Sequence, residues 1–257
     1  VVDAMKETLA QLSDTLDQLQ TQGRQIHLFF RDDDVEEDEP TLRELLATFR
    51  RFAAPINLEI IPARLTPEAI RLLQDAYARQ PESPERIELN QHGWQHVNHE
   101  PEGRKCEFGV SRSFEEQFAD ISRGREVLRN AFGEAFSPVF TPPWNRCTED
   151  THRALDQLGF RVLSKLRGKQ TVAGYNFREL SVTLDLFQWK NGATMKSPEQ
   201  FIGELTAQLR ELDTVGVMLH HKVMDESAFA LIAELLNTLR HSDAIRFHSF
   251  QSLLKAK

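Results

Sequence analysis

Three of the nine histidines fall in the stretch 90–99, which reads Asn-Gln-His-Gly-Trp-Gln-His-Val-Asn-His. His92 and His96 are four residues apart, a spacing that on a helix stacks both imidazoles on one face. Gly93 and the strand-like residues 86–89 argue instead for a strand end turning into a loop, with both rings swung toward one point. Neutral imidazole is the commonest metal ligand, and two convergent histidines want a third donor, commonly a carboxylate. The sequence supplies carboxylates at Asp32, Asp33 and Asp34, directly after the apolar run 26–30. Three such groups behind a buried strand are electrostatically costly unless a cation or proton offsets them. One as ligand and one as general base would account for the crowding.

Two further segments carry usable chemistry. The run Thr141-Pro142-Pro143-Trp144-Asn145-Arg146 reads equally as a stiff loop with a packed indole and as one wall of a substrate groove, with Pro143, Trp144, Asn145 and Arg146 as candidate contacts. His220 and His221 end another apolar run, and a histidine there suits a general acid because its ordinary pKa lies near working pH. Asp185 with Trp189 is a weaker signal that ordinary packing would equally explain, and Cys147 has no partner in sequence that marks it as a nucleophile.

The elements that must position these residues follow from periodicity. Residues 2–22 read as an amphipathic helix on Met5, Leu9, Leu12, Leu16 and Leu19, stopped by Gly23. Strands are expected at 26–30, 56–61, 87–89, 138–140, 160–164, 215–220 and 245–247, with alternation over 180–186 adding a further candidate. Helices are expected from 40 to 52, from a Thr66 cap to Gln80, over 113–130 and 148–159, from a Ser197 cap to 212, over 226–240 and from 249. Strand and helix alternate seven or eight times over one domain's length, the pattern of parallel βαβ units. Asp32–Asp34, His92–His96, Trp144 and His220–His221 all lie just past strand ends. A closed (β/α) barrel gathers those ends on one rim, which favours the barrel over an open sheet.

Bulk properties narrow the class. The chain has 257 residues, 40% of them hydrophobic, and a net charge of −8, which suits one globular α/β domain and offers no general basic face for nucleic acid or anionic lipid. The two cysteines, Cys106 and Cys147, make no CxxC pattern, so reduced thiols in a cytoplasmic protein fit better than a disulfide framework or a zinc knot. No apolar run approaches the roughly 20 residues that cross a bilayer, and the N-terminal segment is charged and amphipathic, unlike a signal peptide.

Taken in order, Asp32-Asp33, His92-x-x-x-His96, Pro143-Trp144 and Leu219-His220 resemble the motifs of the polysaccharide deacetylase family, the NodB-homology or carbohydrate esterase 4 group, over residues 26–250. The resemblance implies a distorted (β/α) barrel with about seven parallel strands. It implies a hydrolase that removes an acyl group, typically N-acetyl, from a carbohydrate or related amide. Asp33, His92 and His96 would hold one divalent metal, zinc before cobalt, manganese, nickel or iron. Asp32 would be the general base for an attacking water, and His220 would protonate the leaving amine, with His221 the competing assignment. Trp144 would line the acetyl or sugar pocket. Two departures mark a divergent branch. The glycine that usually follows the Asp pair is Asp34, which leaves open a one-place shift with Asp33 as base and Asp34 as ligand. The arginine expected three residues before Trp144, a brace for the base, is Thr141; Arg31 and Arg146 are the substitutes the sequence offers.

Three rivals compete. One is a non-haem iron oxygenase, which also uses two histidines and a carboxylate but in a jelly-roll setting. Another is a metal-containing glycan-binding or regulatory module without turnover, supported by Thr141. The third is a deacylase acting on a soluble sugar, nucleotide-sugar or small amide.

Overall fold

The computed structural model describes residues 2–79, 87–168, 171–190 and 192–256, with side chains from Met5 onward. Strands β1 (Ile26–Val35), β2 (Ile56–Ile60), β3 (Ile87–His92), β4 (Phe136–Thr141), β5 (Val162–Leu163), β6 (Arg178–Glu179), β7 (Leu184–Asp185), β8 (Phe187–Gln188), β9 (Thr194–Met195), β10 (Thr214–Leu219) and β11 (Ile245–His248) follow one another along the chain. Between and around them lie helices α1 (Val2–Thr21), α2 (Pro40–Arg51), α3 (Pro67–Ala78), α4 (Phe114–Phe132), α5 (Glu149–Gln157), α6 (Pro198–Glu211), α7 (Glu226–Leu239) and α8 (Phe250–Lys255). The main sheet runs β6-β5-β4-β3-β2-β1-β10-β7, with β11 also paired to β1, and its pairings are parallel. It is the distorted (β/α) barrel expected.

The sheet holds nine strands where about seven were expected. The excess comes from in and around the stretch 180–186, expected as one strand: two-residue pieces form instead at Arg178–Glu179 and Leu184–Asp185, one at each end of the sheet. Between those pieces Leu180 and Val182 donate N–H groups to Leu163 and Lys165, and Thr183 then donates to Gly216 of β10. One short segment thus bridges the β5 side and the β10 side and draws the sheet round. The hairpin β8–β9 stands apart and antiparallel.

The helices begin where their capping chemistry sits. Thr66, Ser197 and Asp225 accept backbone N–H groups of the first turns of α3, α6 and α7, and Ser113 forms a reciprocal capping box with Glu116 at α4. Proline at the first position opens α2, α3 and α6, where its missing N–H costs nothing. The Leu12, Leu16 and Leu19 stripe of α1 is buried. The expected helix end at Gln80 and strand start at Arg86 lie outside the described residues.

Alternation along β1 divides its side chains between two layers. Leu28 and Phe30 face the helices, with Phe30 edge-on to Phe49 of α2 at 5.2 Å between centroids. Phe29 packs inside the barrel with Val139, Val162, Met218 and Phe250. Helix α8 closes that end: Phe250 N–H donates to Asn57 Oδ1 and Gln251 N–H to Glu88 Oε2, both at 2.9 Å. Above this apolar plug the interior turns polar through Arg31, Asn57, Glu59, Asn90 and Ser164, all fully buried.

Candidate active site

The three aspartates after β1 part company for a backbone reason. Alternation sends Arg31 and Asp33 inward and Asp32 outward toward α2 and the turn after β10. Asp34 would return to the outer layer, but its φ is +69°, and the β1–β2 register shifts between Asp32 and Val35. This left-handed kink carries Asp34 to the rim, and a short polar side chain such as Asp is among the few that adopt it.

Asp34 Oδ1 lies 3.2 Å from His92 Nε2 and 3.2 Å from His96 Nε2. The carboxylate grouped with the two histidines is thus Asp34 and not Asp33, which matches the one-place shift the sequence leaves open. Among the described residues this trio is the one group of three or more His, Cys, Asp or Glu side chains whose donor atoms converge, all within 4.8 Å of one another. Asp34 Oδ1 is buried, and the groups it faces are those two ring nitrogens. Donors held about 2.0–2.2 Å from one ion at tetrahedral angles lie roughly 3.3–3.6 Å apart, so the trio fits a divalent cation.

The histidine pair is set from β3 and the turn after it. His92 is fully buried at the end of β3, and its Nδ1–H donates to the Thr141 carbonyl at 3.0 Å, which leaves Nε2 bare toward Asp34. The turn then needs Gly93, whose φ is +57°. A Cβ there would sit 2.2 Å from Glu107 Oε2 and 2.6 Å from Pro143. Buried Glu107 accepts the Trp94 and Gln95 N–H groups at 3.2 and 2.6 Å, and His96 follows with φ +56°. Burial would keep His92 neutral, but the Asp34 hydrogen bond and the Asp33 and Asp34 charges outweigh it and raise its pKa to about 9. Burial and the His92 charge lower His96 to about 4. The two shifts run in opposite directions, His92 favouring the charged form and His96 the neutral one, as expected where two imidazoles share a single positive charge beside one carboxylate.

Asp33 faces the barrel interior and is gripped by Arg31. Nε and Nη2 donate to its two oxygens, each at 2.8 Å. The guanidinium is fully buried and is itself held by Asn145 Oδ1 at 2.8 Å and Ser164 Oγ at 3.1 Å. Arg31, from β1, thus meets the base-like carboxylate where an arginine at position 141 was expected. Asn145, expected at the substrate wall, points inward to this guanidinium. Trp144 and Asn145 both have positive φ, +54° and +58°, and that double left-handed turn also lays the Trp144 ring 4.4 Å from His96. Arg146 is spent on the Lys105 carbonyl at 2.8 Å, and Pro143 is buried over Gly93.

The two late histidines separate equally clearly. His220 Nε2 lies 3.9 Å from Asp33 Oδ2, and its ring stands edge-on to Trp189 at 4.6 Å. Asp185 fixes that indole by accepting Nε1–H at 2.8 Å. Burial raises the Asp185 pKa against the opposing pull of His220. His221 turns away: fully buried, it donates Nδ1–H to Asp32 Oδ2 at 2.6 Å and its backbone N–H to Asp32 Oδ1 at 2.8 Å. Asp32, expected as general base, faces the outer layer with His221, so the inward-facing candidate is Asp33, the other assignment the sequence leaves open. Burial pushes the Cys147 thiol up to about 12, consistent with an inert side chain.

Sequence patterning misses Glu107 and undervalues Asp185 and Trp189. The Trp189–Asp185 spacing hints at the latter pair, whereas nothing local marks Glu107, which acts across a loop of 12 residues.

Comparison with known proteins gives the same frame. The chain is similar in structure to a protein from Mycobacterium smegmatis described as a polysaccharide deacetylase, at 18% identity and TM-score 0.66, covering 84% of this chain and 76% of that one. It is similar to a family 4 acetyl xylan esterase from Clostridium thermocellum solved with a cobalt ion, at 12% identity and TM-score 0.61 over 89% and 90% of the two chains. A family 4 carbohydrate esterase from Streptomyces lividans solved with acetate aligns at 14% identity and TM-score 0.54 over 87% and 91%. No curated protein matches the sequence. At the level of sequence, the pattern described as polysaccharide deacetylase matches residues 10–163, a span that takes in Asp33, Asp34, His92, His96 and the Trp144 loop. By that match the chain belongs to the polysaccharide deacetylase family.

Proposed function

We propose that the protein is a metal-dependent deacetylase that hydrolyses an N-acetyl amide on a carbohydrate or related small molecule. The observation that carries this reading is the buried Asp34 Oδ1 facing two imidazole nitrogens at 3.2 Å, with Asp33 and His220 set together 3.9 Å apart beside it. Asp34, His92 and His96 would hold one divalent cation, zinc first by ligand type. Such a cation polarises the acyl carbonyl and acidifies water.

The chain's own groups do the rest. Asp33 takes the proton of the attacking water, and the Arg31 fork keeps its carboxylate in one orientation through the step. His220 gives a proton to the departing amine nitrogen, which cannot leave as an anion. Trp144, beside His96, and Trp189, beside His220, offer two apolar walls between which an acetyl group or a sugar face can sit. The rival reading of a binding module without turnover rested on Thr141; the Arg31–Asp33 pair supports turnover by offering an arginine beside the carboxylate from β1 instead of β4. Cys106 and Cys147 are both free thiols. No helix among the described residues is long and apolar enough to cross a membrane.

The test pairs metal content with acetate release from a panel of N-acetylated mono- and oligosaccharides. About one divalent ion per chain, with release abolished in Asp33→Asn at unchanged metal content, is the expected result. A chain that binds no divalent metal under any condition overturns the reading.

A further inference from the structure

We infer that Asp32 and His221 form a clamp that positions His220, which makes Asp32 a positioning residue for the proton donor and not a group that meets substrate. The inference rests on the reading of His220 as donor and adds how its imidazole is held.

His220 lacks the support its role requires. Its Nδ1 is buried without a hydrogen-bond partner, and Nε2 faces Asp33 at 3.9 Å, beyond hydrogen-bond reach. His92 is different, because its Nδ1 is tied to a backbone carbonyl. The His220 ring is therefore placed by its backbone and by the Trp189 edge contact at 4.6 Å. That backbone is anchored at the next residue. Asp32 sits opposite Leu219 in the β1–β10 register, and both its oxygens reach over to His221, one to the main-chain N–H and one to Nδ1–H. Asp32 and His221 are each fully buried, so the pair is shielded from water and its bonds are strong. Beyond them the tight turn continues, with Val223 and Met224 donating N–H groups to the carbonyls of His220 and His221 at 3.1 and 3.2 Å. A second ring of charge backs the clamp. His221 Nε2 lies 3.8 Å from Glu39 Oε2, and Lys222 pairs with both Glu36 and Glu39.

The clamp predicts a split between substrates. An amide nitrogen must be protonated to leave, whereas a 4-nitrophenolate leaves without help. Asp32→Asn keeps an acceptor for the His221 N–H and loses the charged partner of Nδ1. In the metal-loaded protein it is expected to lower kcat on N-acetyl amides roughly 10- to 100-fold, with KM unchanged and 4-nitrophenyl acetate hydrolysis within about threefold of wild type. His221→Gln, which retains the main-chain bond, is expected to give the same split in milder form. His220→Ala sets the reference. If it shows no split, the donor reading fails; if it splits and Asp32→Asn does not, the clamp alone fails. Equal loss on both substrates in Asp32→Asn also overturns the clamp and returns Asp32 to the role of base. A crystal structure of Asp32→Asn needs no turnover: the 220–223 turn and the His220 ring are expected to shift off Trp189, and an unmoved ring overturns the inference.

Discussion

Arg31 and Asp33, two residues apart on one strand, form a closed fork inside the barrel, with parallel N–H···O bonds of 2.8 Å. Strand alternation puts both on the inner face, and the buried guanidinium spends its remaining donors on Asn145 and Ser164. The pair takes its place at the site from β1 alone, so Thr141 need not supply a charge. Removing one partner of a buried pair leaves the other charge uncompensated. Arg31→Met is therefore expected to lose on the order of 3–5 kcal/mol in chemical denaturation. Arg31→Lys keeps the charge but not the planar fork. It is expected to fold, retain metal and lose activity in kcat.

Asp33 and Asp34 are neighbours with different partners, so their variants separate two readouts. Asp34→Asn is expected to weaken divalent-metal affinity at least 100-fold by calorimetry or metal analysis, because the amide removes the anionic donor between His92 and His96. Asp33→Asn is expected to retain metal and lower kcat 100- to 10,000-fold. Loss of metal in Asp33→Asn with retention in Asp34→Asn would restore the sequence-based assignment.

Gly93 links the fold to the site. At φ +57°, with Glu107 Oε2 2.2 Å and Pro143 2.6 Å from a built Cβ, Gly93→Ala forces both a left-handed alanine and a displaced Glu107. The variant is expected to be destabilised by roughly 1–3 kcal/mol. It is also expected to bind metal more weakly than wild type even where it folds, since the Trp94–His96 turn hangs on Glu107. Thermal unfolding with and without zinc reads both effects, and wild-type zinc stabilisation in the variant would contradict the link.

The periodic apolar positions make the barrel legible in the sequence. The runs at 26–30, 56–61 and 215–220 become strands because they are buried on both faces, and Thr66, Ser113 and Ser197 open helices where their side chains can cap. The stretch 180–186 misleads because its alternation is genuine while its pairing is split between two neighbours, a tertiary fact. His92 and His96 are legible from type and spacing. The assignment of the aspartates is not, because it depends on Asp34 adopting φ +69°, and an Asp-Asp-Asp run looks alike in every register. Parity would have excluded Asp32: if Phe29 faces the barrel interior, so do Arg31 and Asp33. Glu107 and Asn145 act across loops, and nothing local marks them.

Glu59 gives the pH dependence of stability. It is fully buried in β2 beneath Asp33, with Asn90 Nδ2 donating to Oε1 at 2.9 Å and Oε2 without a partner. Burial, helped by the Asp33 charge and opposed by Arg31, raises its pKa from 4.5 to about 8. The folded chain then keeps a proton that the unfolded chain releases above pH 4.5, so stability falls as pH rises between those two values and the loss is complete above the upper one. At about 1.4 kcal/mol for each tenfold change in proton affinity, the penalty at pH 8 is on the order of a few kcal/mol. Glu59→Gln keeps the oxygen that Asn90 binds and cannot ionise. In metal-free protein, where no metal ion adds its charge near the carboxylate, the stability gain of Glu59→Gln over wild type is expected to be near zero at pH 4.5. It should grow steadily to pH 8 in urea denaturation. A gain independent of pH, or one that shrinks as pH rises, would mean that Glu59 is ionised in the folded chain and that Arg31 is shared between two carboxylates.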